Sequence, residues 1–257
     1  MLTAFRLQFR VMKALVIREI NTRYGRENIG FLWIIGEPIL FVAGVTIAWS
    51  AMRPALEHGL PMPAIVLSGY VPLTMWRHCL GRSIKAYEAN GALMFHRQVT
   101  PLDIITARCW LEIVGVLMAA ALVLVSCVVI GVMDWPVDWG LVYLGLLMQA
   151  LFSYATALLM ASVSEYSDVA ERAVGILGYL AIPFSGAFTM VDWLSPRFQQ
   201  VLLWSPSVNN VEMIRAGMFG PSAHAHFDVV YDIWMTALLI IMGLHLTMRV
   251  RGRILVQ

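Results

Sequence analysis

The sequence predicts an all-α membrane protein with six transmembrane helices, an N-terminal amphipathic interface helix, and short re-entrant helices between the fifth and sixth spans. Hydrophobic residues make up 60% of the 257 residues and charged residues only 13%, which leaves too little polar surface for a soluble domain of this size. Apolar segments of about 20 residues, enough to cross a bilayer, recur along the chain. The Lys and Arg residues collect on one side of the resulting topology.

The first element, within residues 1–30, is predicted to be a cytosolic amphipathic helix. Its apolar residues recur at helical spacing, and its basic residues occupy another face. The apolar set is Phe5, Phe9, Met12, Val16 and Ile20, and the basic set is Arg6, Arg10 and Lys13. Such a helix lies along a membrane surface because apolar burial and attraction to anionic headgroups both stabilise it there. It serves either as a simple anchor or in substrate loading or partner docking.

Residues 31–257 are predicted to form one six-span transmembrane domain, with a cytosolic coupling helix at about 83–100 and an outer re-entrant segment at about 192–227. The spans cover Phe31 to Met52, Pro63 to Leu80, Ile104 to Met133, Gly140 to Ser164, Ala173 to Val191, and Val229 to Met248. The third and fourth spans show the strongest apolar pattern. In the second, Gly69 and Pro72 predict a broken or kinked helix.

The distribution of basic residues places the N- and C-termini in the cytosol. With the N-terminus inside, only Arg53, Arg197 and Arg215 fall outside, and the other 15 of the 18 Lys and Arg residues fall inside. Short loops rich in these residues stay on the cytosolic side. The formal net charge of +2 averages this basic inner face against a more acidic outer face.

One acidic residue is predicted to lie within the first span. Glu37 follows Phe31 by six positions, which is about 9 Å along a helix. A carboxylate at that depth indicates a functional role. A helix kinked at Pro38, with Glu37 paired near the cytosolic edge, would explain it structurally.

Two other sets of polar residues are candidates for a structural or metal-binding role. Arg108 and Glu112 stand one turn apart on the third span, a spacing that favours a structural ion pair within the helix. His224, His226 and Asp228 lie together near the outer start of the sixth span, but structural zinc sites use four protein ligands. No metal site and no catalytic residue is therefore predicted.

The chain lacks a phosphate-binding loop of its own. Neither of its lysines, Lys13 and Lys85, follows a glycine, so there is no Gly-Lys-Ser/Thr motif. If ATP powers transport, a separate chain must hydrolyse it. The loop between the second and third spans is best placed to contact that chain, and Pro101 and Asp103 in it give a stop signal followed by the start of the next helix.

Three groups of residues carry a family resemblance. They are Arg18-Glu19, Thr22-Arg23-Tyr24-Gly25, Gly30-Phe31-Leu32-Trp33 and Glu37-Pro38; then Glu88-Ala89-Asn90, Pro101, Asp103, Ala107-Arg108 and Glu112; and Leu203-Trp204-Ser205-Pro206, Val211-Glu212 and Arg215. In combination they resemble the membrane permeases of ABC-2 type polysaccharide exporters, and within these the capsule exporters of the KpsM type. Ser205 stands where the family commonly has Asn.

The resemblance implies a homodimer of six-span subunits with two copies of a separate ATPase subunit, which binds ATP and Mg. This chain would then carry no cofactor and would not itself be an enzyme. The implied substrate is a lipid-linked acidic capsular polysaccharide, exported across a bacterial inner membrane. The implied further partners are membrane lipids, a periplasm-spanning co-polymerase and an outer-membrane exporter, and no nucleic acid.

Site residues follow from the resemblance in the same way. The implied ATPase-coupling residues are Tyr87, Glu88, Ala89, Asn90 and Gly91. The implied outer gate includes Trp193, Trp204, Glu212 and Arg215. Candidates for the substrate path, on the expectation that sugars stack on aromatic side chains, are Arg23, Tyr24, Arg26, Phe31, Trp33, Glu37, Tyr179, Phe184 and Phe188. Aromatic residues at these depths also serve in packing or interfacial belts, and Arg23 and Arg26 could meet a lipid-carrier phosphate or ordinary anionic lipids.

Other functions fit the sequence less well. The nearest alternative is an O-antigen or teichoic-acid exporter of the same fold. A secondary transporter would need coupling-ion carboxylates in mid-membrane, where only Glu37 and Glu112 qualify. A membrane-embedded glycan enzyme would need clustered reactive groups, and the histidines are scattered.

Overall fold

The computed structural model describes residues 2–24, 56–94 and 99–254, together with positions 36, 39, 40, 43–45, 47 and 48. The fold is helical apart from one short antiparallel hairpin, β1 (Leu56–Glu57) and β2 (Leu60–Pro61). The helices are α1 (Leu2–Tyr24), α2 (Met62–Ser83), α3 (Gly91–Met94), α4 (Pro101–Ile130), α5 (Trp139–Ser164), α6 (Asp168–Phe184), α7 (Pro196–Leu202), α8 (Pro206–Phe219) and α9 (Val229–Ile254). Short 3-10 turns lie at Glu88–Asn90, Val191–Trp193 and Gly220–Ala223.

Three helices of the described part are long and apolar enough to cross a membrane. They are α4, α5 and residues Val229–Val250 of α9, and they correspond to the third, fourth and sixth predicted spans. The all-α membrane class is therefore confirmed, whereas the number of six spans stays a prediction. Most of the first predicted span, 14 of its 22 residues, lies outside the described residues.

The second predicted span corresponds to α2, which forms the centre of the bundle. It packs against α4, α5 and α8. The helix continues through Pro72, so of the two predicted outcomes, a break or a kink, the break does not occur. Packing on several sides holds the helix together where the proline removes a backbone donor. Gly69 permits close contact, because a Cβ at this position would lie 1.9 Å from the carbonyl oxygen of Ala187.

The fifth predicted span is shorter than the sequence indicated. The prediction ran from Ala173 to Val191, but α6 ends at Phe184, one residue after Pro183. Beyond it the chain turns at Gly186, which has a φ of 66°. The next carbonyl groups are bound by an arginine of α8, as described below, and not by a continuing helix.

The N-terminal helix exists as predicted and packs on the beginning of α4. Its Leu15 is buried, while Arg6, Arg10 and Lys13 are exposed. Gln8 donates a hydrogen bond to Asp103 at the start of α4. The helix is thus attached to the bundle along one face, and Arg6, Arg10 and Lys13 are exposed to solvent or lipid headgroups.

The start of α4 carries the stop and restart signal that the sequence predicted. Thr100 and Asp103 form a capping box, with the Thr100 backbone N–H donating to Asp103 Oδ2 at 2.8 Å and the Asp103 N–H donating to Thr100 Oγ1 at 3.3 Å. Pro101 occupies the first helical position, where its missing N–H costs nothing. This end fixes the loop that precedes α4.

Candidate functional site

The loop after α2 is held to the bundle by a buried tyrosine. Residues 84–94 form turns, a 3-10 turn and α3 rather than one helix, and α2 ends just before Lys85, which has a φ of 45°. The Tyr87 side chain is fully buried, and its hydroxyl lies 3.2 Å from Thr247 Oγ1 of α9. Burial raises the pKa of this hydroxyl, so it stays neutral. Thr247 also contacts Ser162 of α5 at 3.0 Å.

Asn90 joins the same loop to the N-terminal helix. Its side chain is buried, with Nδ2 donating to the Ala86 carbonyl at 2.7 Å and Oδ1 accepting a hydrogen bond from Arg18 of α1 at 2.7 Å. Glu88 and Ala89, between Tyr87 and Asn90, are exposed. The five predicted coupling residues therefore occupy three settings: Tyr87 and Asn90 are buried and anchor the loop, Glu88 and Ala89 face outward, and Gly91 is half-buried.

Further contacts tie the loop to the end of α5 and the beginning of α6. The Lys85 N–H donates to Ser164 Oγ at 3.0 Å, and the Glu88 N–H donates to Glu165 Oε1 at 3.2 Å. The Lys85 ammonium lies 3.7 Å from Glu88 and 3.4 Å from Glu171 of α6. Partial burial, with the nearby Glu88 carboxylate adding to it, raises the pKa of the Glu165 carboxyl. Residues 84–90 are thus bound to four helices at once.

The ion pair predicted between Arg108 and Glu112 has different partners in the structure. Arg108 Nε lies 3.4 Å from Glu19 of α1, and its Nη1 donates to the Arg82 carbonyl at 2.9 Å. Glu112 is buried and lies 3.2 Å from His78 Nδ1 and 3.3 Å from Arg82 Nε, both on α2. These partners lie on the neighbouring helices α1 and α2, so the spacing of residues along α4 could not predict them. The two charges therefore join α1, α2 and α4 instead of supporting one helix.

At the opposite end of the bundle, Glu212 and Arg215 of α8 form a fully buried ion pair. Arg215 Nη1 lies 3.2 Å from Glu212 Oε1, and both side chains are 0% exposed. The guanidinium also donates to the carbonyls of Thr189 at 2.9 Å and Ala187 at 3.1 Å. A further contact runs from Nε to Ser68 Oγ of α2 at 3.4 Å. This set of contacts binds the loop after α6 to α8 and α2.

The carboxylate of Glu212 has partners of its own. Oε1 accepts a hydrogen bond from the Val191 N–H at 3.3 Å, and Oε2 accepts one from the His226 N–H at 3.2 Å. We call this arrangement, with Glu212 and Arg215 at its centre, the ion-pair hub. Two residues implied as part of an outer gate thus lie at a junction between three segments, and their role in a gate stays a prediction.

A second buried polar network joins α2, α5 and α8. No residue of this network was predicted as a site residue. Gln149 of α5 is 0% exposed, and its Nε2 donates to the Pro72 carbonyl of α2 at 2.9 Å. Its Oε1 accepts from Asn210 Nδ2 of α8 at 3.1 Å. The sequence signal for this network was Gln149, the one amide side chain in the span from Gly140 to Ser164, which has no charged residue. This network fixes α2, α5 and α8 against one another.

The predicted gate tryptophans occupy different settings. Trp193 stacks on His58 after the hairpin strand β1, with ring centroids 4.6 Å apart. Trp204, between α7 and α8, leaves 77% of its surface exposed. The two helices α7 and α8 occupy the segment where the sequence indicated two short helices.

Only part of the predicted substrate path can be located. Tyr179 and Phe184 of α6 are 71% and 61% exposed, and Arg77 of α2 lies over the Tyr179 ring at 5.7 Å. Phe188 packs against the apolar core. The structure thus gives α6 two exposed aromatic side chains and directs Phe188 inward. Arg23 and Tyr24 lie at the end of α1, and their side chains are outside the described part. The other four candidates lie wholly outside it: Arg26, Phe31, Trp33 and Glu37.

Two members of the His224, His226 and Asp228 set, His226 and Asp228, have separate partners. His226 Nε2 lies 3.3 Å from Asp192 Oδ1, while Asp228 Oδ1 accepts hydrogen bonds from the N–H groups of Val230 and Tyr231 at the start of α9. Among the described residues no group of three or more His, Cys, Asp or Glu side chains is placed to hold a metal ion.

Known proteins resemble this chain along most of its length. The family model described as ABC-2 type transporter matches residues 10–219. The capsule polysaccharide export inner-membrane protein BexB of Haemophilus influenzae is 36% identical over 238 residues, covering 93% of this chain and 90% of that protein. The protein of the same description, CtrC, from Neisseria meningitidis serogroup A is 35% identical over 243 residues, or 95% of this chain and 92% of that one. The polysialic acid transport protein KpsM of Escherichia coli is 24% identical over 256 residues, or 95% of each.

Proposed function

Since the chain belongs to the ABC-2 type transporter family, we propose that it is the permease subunit of an ATP-driven exporter. Its substrate is lipid-linked capsular polysaccharide, which it moves from the cytoplasm across the inner membrane. Similarity to proteins described as capsule polysaccharide export inner-membrane proteins, over more than nine-tenths of this chain, carries the proposal. The apolar helices α4, α5 and α9 support a multi-pass membrane subunit.

In this proposal the complex is a homodimer of six-span subunits with cytosolic termini and two copies of a separate ATPase subunit. The ATPase subunits bind ATP and Mg and supply the free energy of hydrolysis. A periplasm-spanning co-polymerase and an outer-membrane exporter receive the chain beyond the inner membrane. The sequence contains no Gly-Lys-Ser/Thr phosphate loop, which agrees with a division of labour between two chains.

The exposed surface of the loop after α2, at Glu88 and Ala89, is the proposed contact with the ATPase subunit. Its support is the combination of an outward-facing acidic side chain and a backbone held from behind by Tyr87 and Asn90. A rigid loop transmits a displacement to the helices that hold it, whereas a mobile loop would absorb it. The N-terminal helix takes part because Arg18 binds Asn90.

Co-expression with the product of a neighbouring ATPase gene tests the proposal. A tagged chain should retain that ATPase in mild detergent, and hydrolysis should be stimulated only in the two-component complex. Replacement of the exposed side chain, Glu88→Arg, should weaken the complex about tenfold, or about 1.4 kcal/mol, because a reversed charge places like charges together across an interface of complementary charge. Membrane insertion should be unchanged.

A matched control separates the interface from the ion pairs of the loop. Glu171 contacts the same Lys85 ammonium as Glu88 does, but lies on α6. Glu171→Arg should therefore leave ATPase retention close to that of the unchanged chain. Equal losses from both variants would show that Lys85 pairing matters and not the exposed surface. If no ATPase is retained by the unchanged chain, the exporter function itself is refuted.

A further inference from the structure

We propose that a cavity at the outer end of the chain, between the α7–α8 junction and the start of α9, binds a pyranose ring of the exported glycan. The inference rests on the proposed function for the identity of the ligand. Its structural basis is separate, and lies in an exposed indole presented by a rigid backbone beside polar side chains. Glu212 and Arg215 do not line this cavity, whereas His226, whose N–H donates to Glu212, does.

The cavity has the size and lining of a carbohydrate subsite. Its volume is about 740 Å³, and its lining includes Gln200, Trp204, Phe227, Asp228 and Tyr231. Binding sites for small molecules commonly measure about 300–1,000 Å³. One sugar ring with part of a neighbour fits in this volume. The lining thus combines aromatic side chains with polar ones.

The backbone that carries Trp204 is fixed by three side-chain hydrogen bonds. The Tyr231 hydroxyl donates to the Trp204 carbonyl at 2.7 Å. Asn209, which is 1% exposed, donates through Nδ2 to the carbonyls of Leu203 at 2.7 Å and Ser205 at 3.2 Å. The backbone that carries the indole is thus held before any ligand arrives, which lowers the entropy cost of binding.

The Asn209 side chain also links the two walls of the cavity. Its Oδ1 accepts a hydrogen bond from the Asp228 N–H at 2.9 Å, so residues 203–205 and the start of α9 are held at a constant separation. Asp228 uses Oδ1 to cap α9, and an ionised carboxylate has further acceptor capacity for a hydroxyl donor. Gln200 is exposed at the opposite side and offers both a donor and an acceptor.

This chemistry matches a sugar better than a lipid chain. A pyranose has a C–H face that stacks on an indole, and hydroxyl groups at its edge that pair with Gln200 and Asp228. The structure offers a contrasting cavity of about 540 Å³ between α2, α4 and α5, lined by Trp110, Trp135 and many aliphatic residues without a charged side chain among the described lining residues. A lipid chain suits that one. A carboxylate at the opening, as at Asp228, disfavours an acyl chain, because a charge buried against apolar groups is costly.

Saturation-transfer NMR on the complex tests the site. The chain, co-purified with its ATPase subunit in phosphatidylcholine nanodiscs, is mixed with maltotriose or with the trimer of N-acetylglucosamine. Ring C–H protons of at least one trisaccharide should receive saturation from the unchanged chain. Trp204→Ala should weaken binding about tenfold, and Trp204→Phe should retain part of it because an aromatic face remains. Gln200→Ala should also weaken binding while leaving the Trp204 surface intact.

Trp234 provides the matched control. It is 72% exposed on α9 and does not line the cavity, so Trp234→Ala should bind both trisaccharides as the unchanged chain does. Equal binding by the Trp204→Ala and Trp234→Ala variants, or no binding of either trisaccharide by the unchanged chain, overturns the site. Quenching of Trp204 fluorescence by brominated lipid, measured as the difference between the unchanged chain and Trp204→Phe, would show a lipid contact and also overturn it. ATPase retention in the same samples separates failure of this site from failure of the exporter function.

Discussion

Removal of the Glu212 carboxylate is the most informative perturbation of the outer end. Glu212→Ala deletes the counter-charge of Arg215 and the acceptor of two backbone N–H groups, those of Val191 and His226. The guanidinium stays buried because its carbonyl partners, Ala187 and Thr189, remain in place. The variant therefore leaves one buried cation without a carboxylate, and two donors without an acceptor.

The expected loss of stability follows from these groups. Breaking a buried ion pair on one side typically costs about 3–5 kcal/mol, and each buried donor left unpaired adds about 1–3 kcal/mol. Three existing carbonyl and hydroxyl contacts of Arg215, and water admitted by the smaller side chain, offset part of that sum. A loss of about 5 kcal/mol results, which is comparable to the whole stability of many domains. Glu212→Gln keeps one carbonyl acceptor and should lose about 3 kcal/mol.

Thermal loss of the monodisperse peak in detergent is a suitable assay, since membrane proteins commonly unfold irreversibly. Glu212→Ala should fail to give a folded peak or should lose it at a much lower temperature than the unchanged chain. Glu212→Gln should be intermediate. Glu171→Gln, an exposed acid on α6, should stay within about 0.5 kcal/mol of the unchanged chain.

The reasoning is refuted if Glu212→Ala retains the thermal stability of the unchanged chain. That result would mean that the two side chains separate at little cost, as the components of a moving gate would. A variant that folds normally yet fails only in transport would support the same conclusion. The hub interpretation requires that stability be lost first.

Two other perturbations follow from the geometry. Gly69→Ala should destabilise the fold by several kcal/mol, because its Cβ would overlap the backbone of the loop after α6. Gly81→Ala lies in the same helix with open space around it, so it should be neutral or stabilising by up to about 1 kcal/mol. The same thermal assay compares the two variants, and equal thermal stability would contradict the close contact at Gly69. Glu165→Gln should flatten the pH dependence of stability, because the folded-state pKa of Glu165 is raised, so that its contribution is full below the unfolded-state pKa and lost as the pH rises through the folded-state value. Melting temperatures between about pH 4 and pH 8 measure this around the ordinary carboxyl pKa, and an unchanged pH profile would contradict the burial of Glu165.

The apolar spans could be predicted because their cause is local. Helix α4 begins at Pro101 and α5 ends at Ser164, within a few residues of the predicted bounds, since a capping box and an uninterrupted apolar run act over neighbouring residues. The continuation of α2 through Pro72 could not be predicted, because its cause is not local. Whether a proline interrupts a helix depends on what packs around it, and α2 is enclosed by α4, α5 and α8.

The polar contacts could be predicted only in part. Glu212 and Arg215 are three positions apart, so spacing and family resemblance brought them together, but the carbonyls that bind Arg215 come from Ala187 and Thr189, more than 25 positions away along the chain. Arg108 and Glu112 had equally good spacing and take partners on α1 and α2 instead. Spacing along one helix indicates which residues can pair, and tertiary contacts decide which do.

The two ends of the chain constrain how a motion could pass through it. At one end, the loop after α2 is bound to α1, α5, α6 and α9 through Arg18, Ser164, Glu171 and Thr247, so a displacement of the exposed Glu88 surface displaces the attached parts of those helices together. At the opposite end, the ion-pair hub binds α8 to the loop after α6 and to α2. A packed hub of this kind shifts as a body because internal rearrangement would expose buried charge. An opening between helices at the outer end must therefore form around α8 and the loop after α6 moving as one unit, not by separation of Glu212 from Arg215.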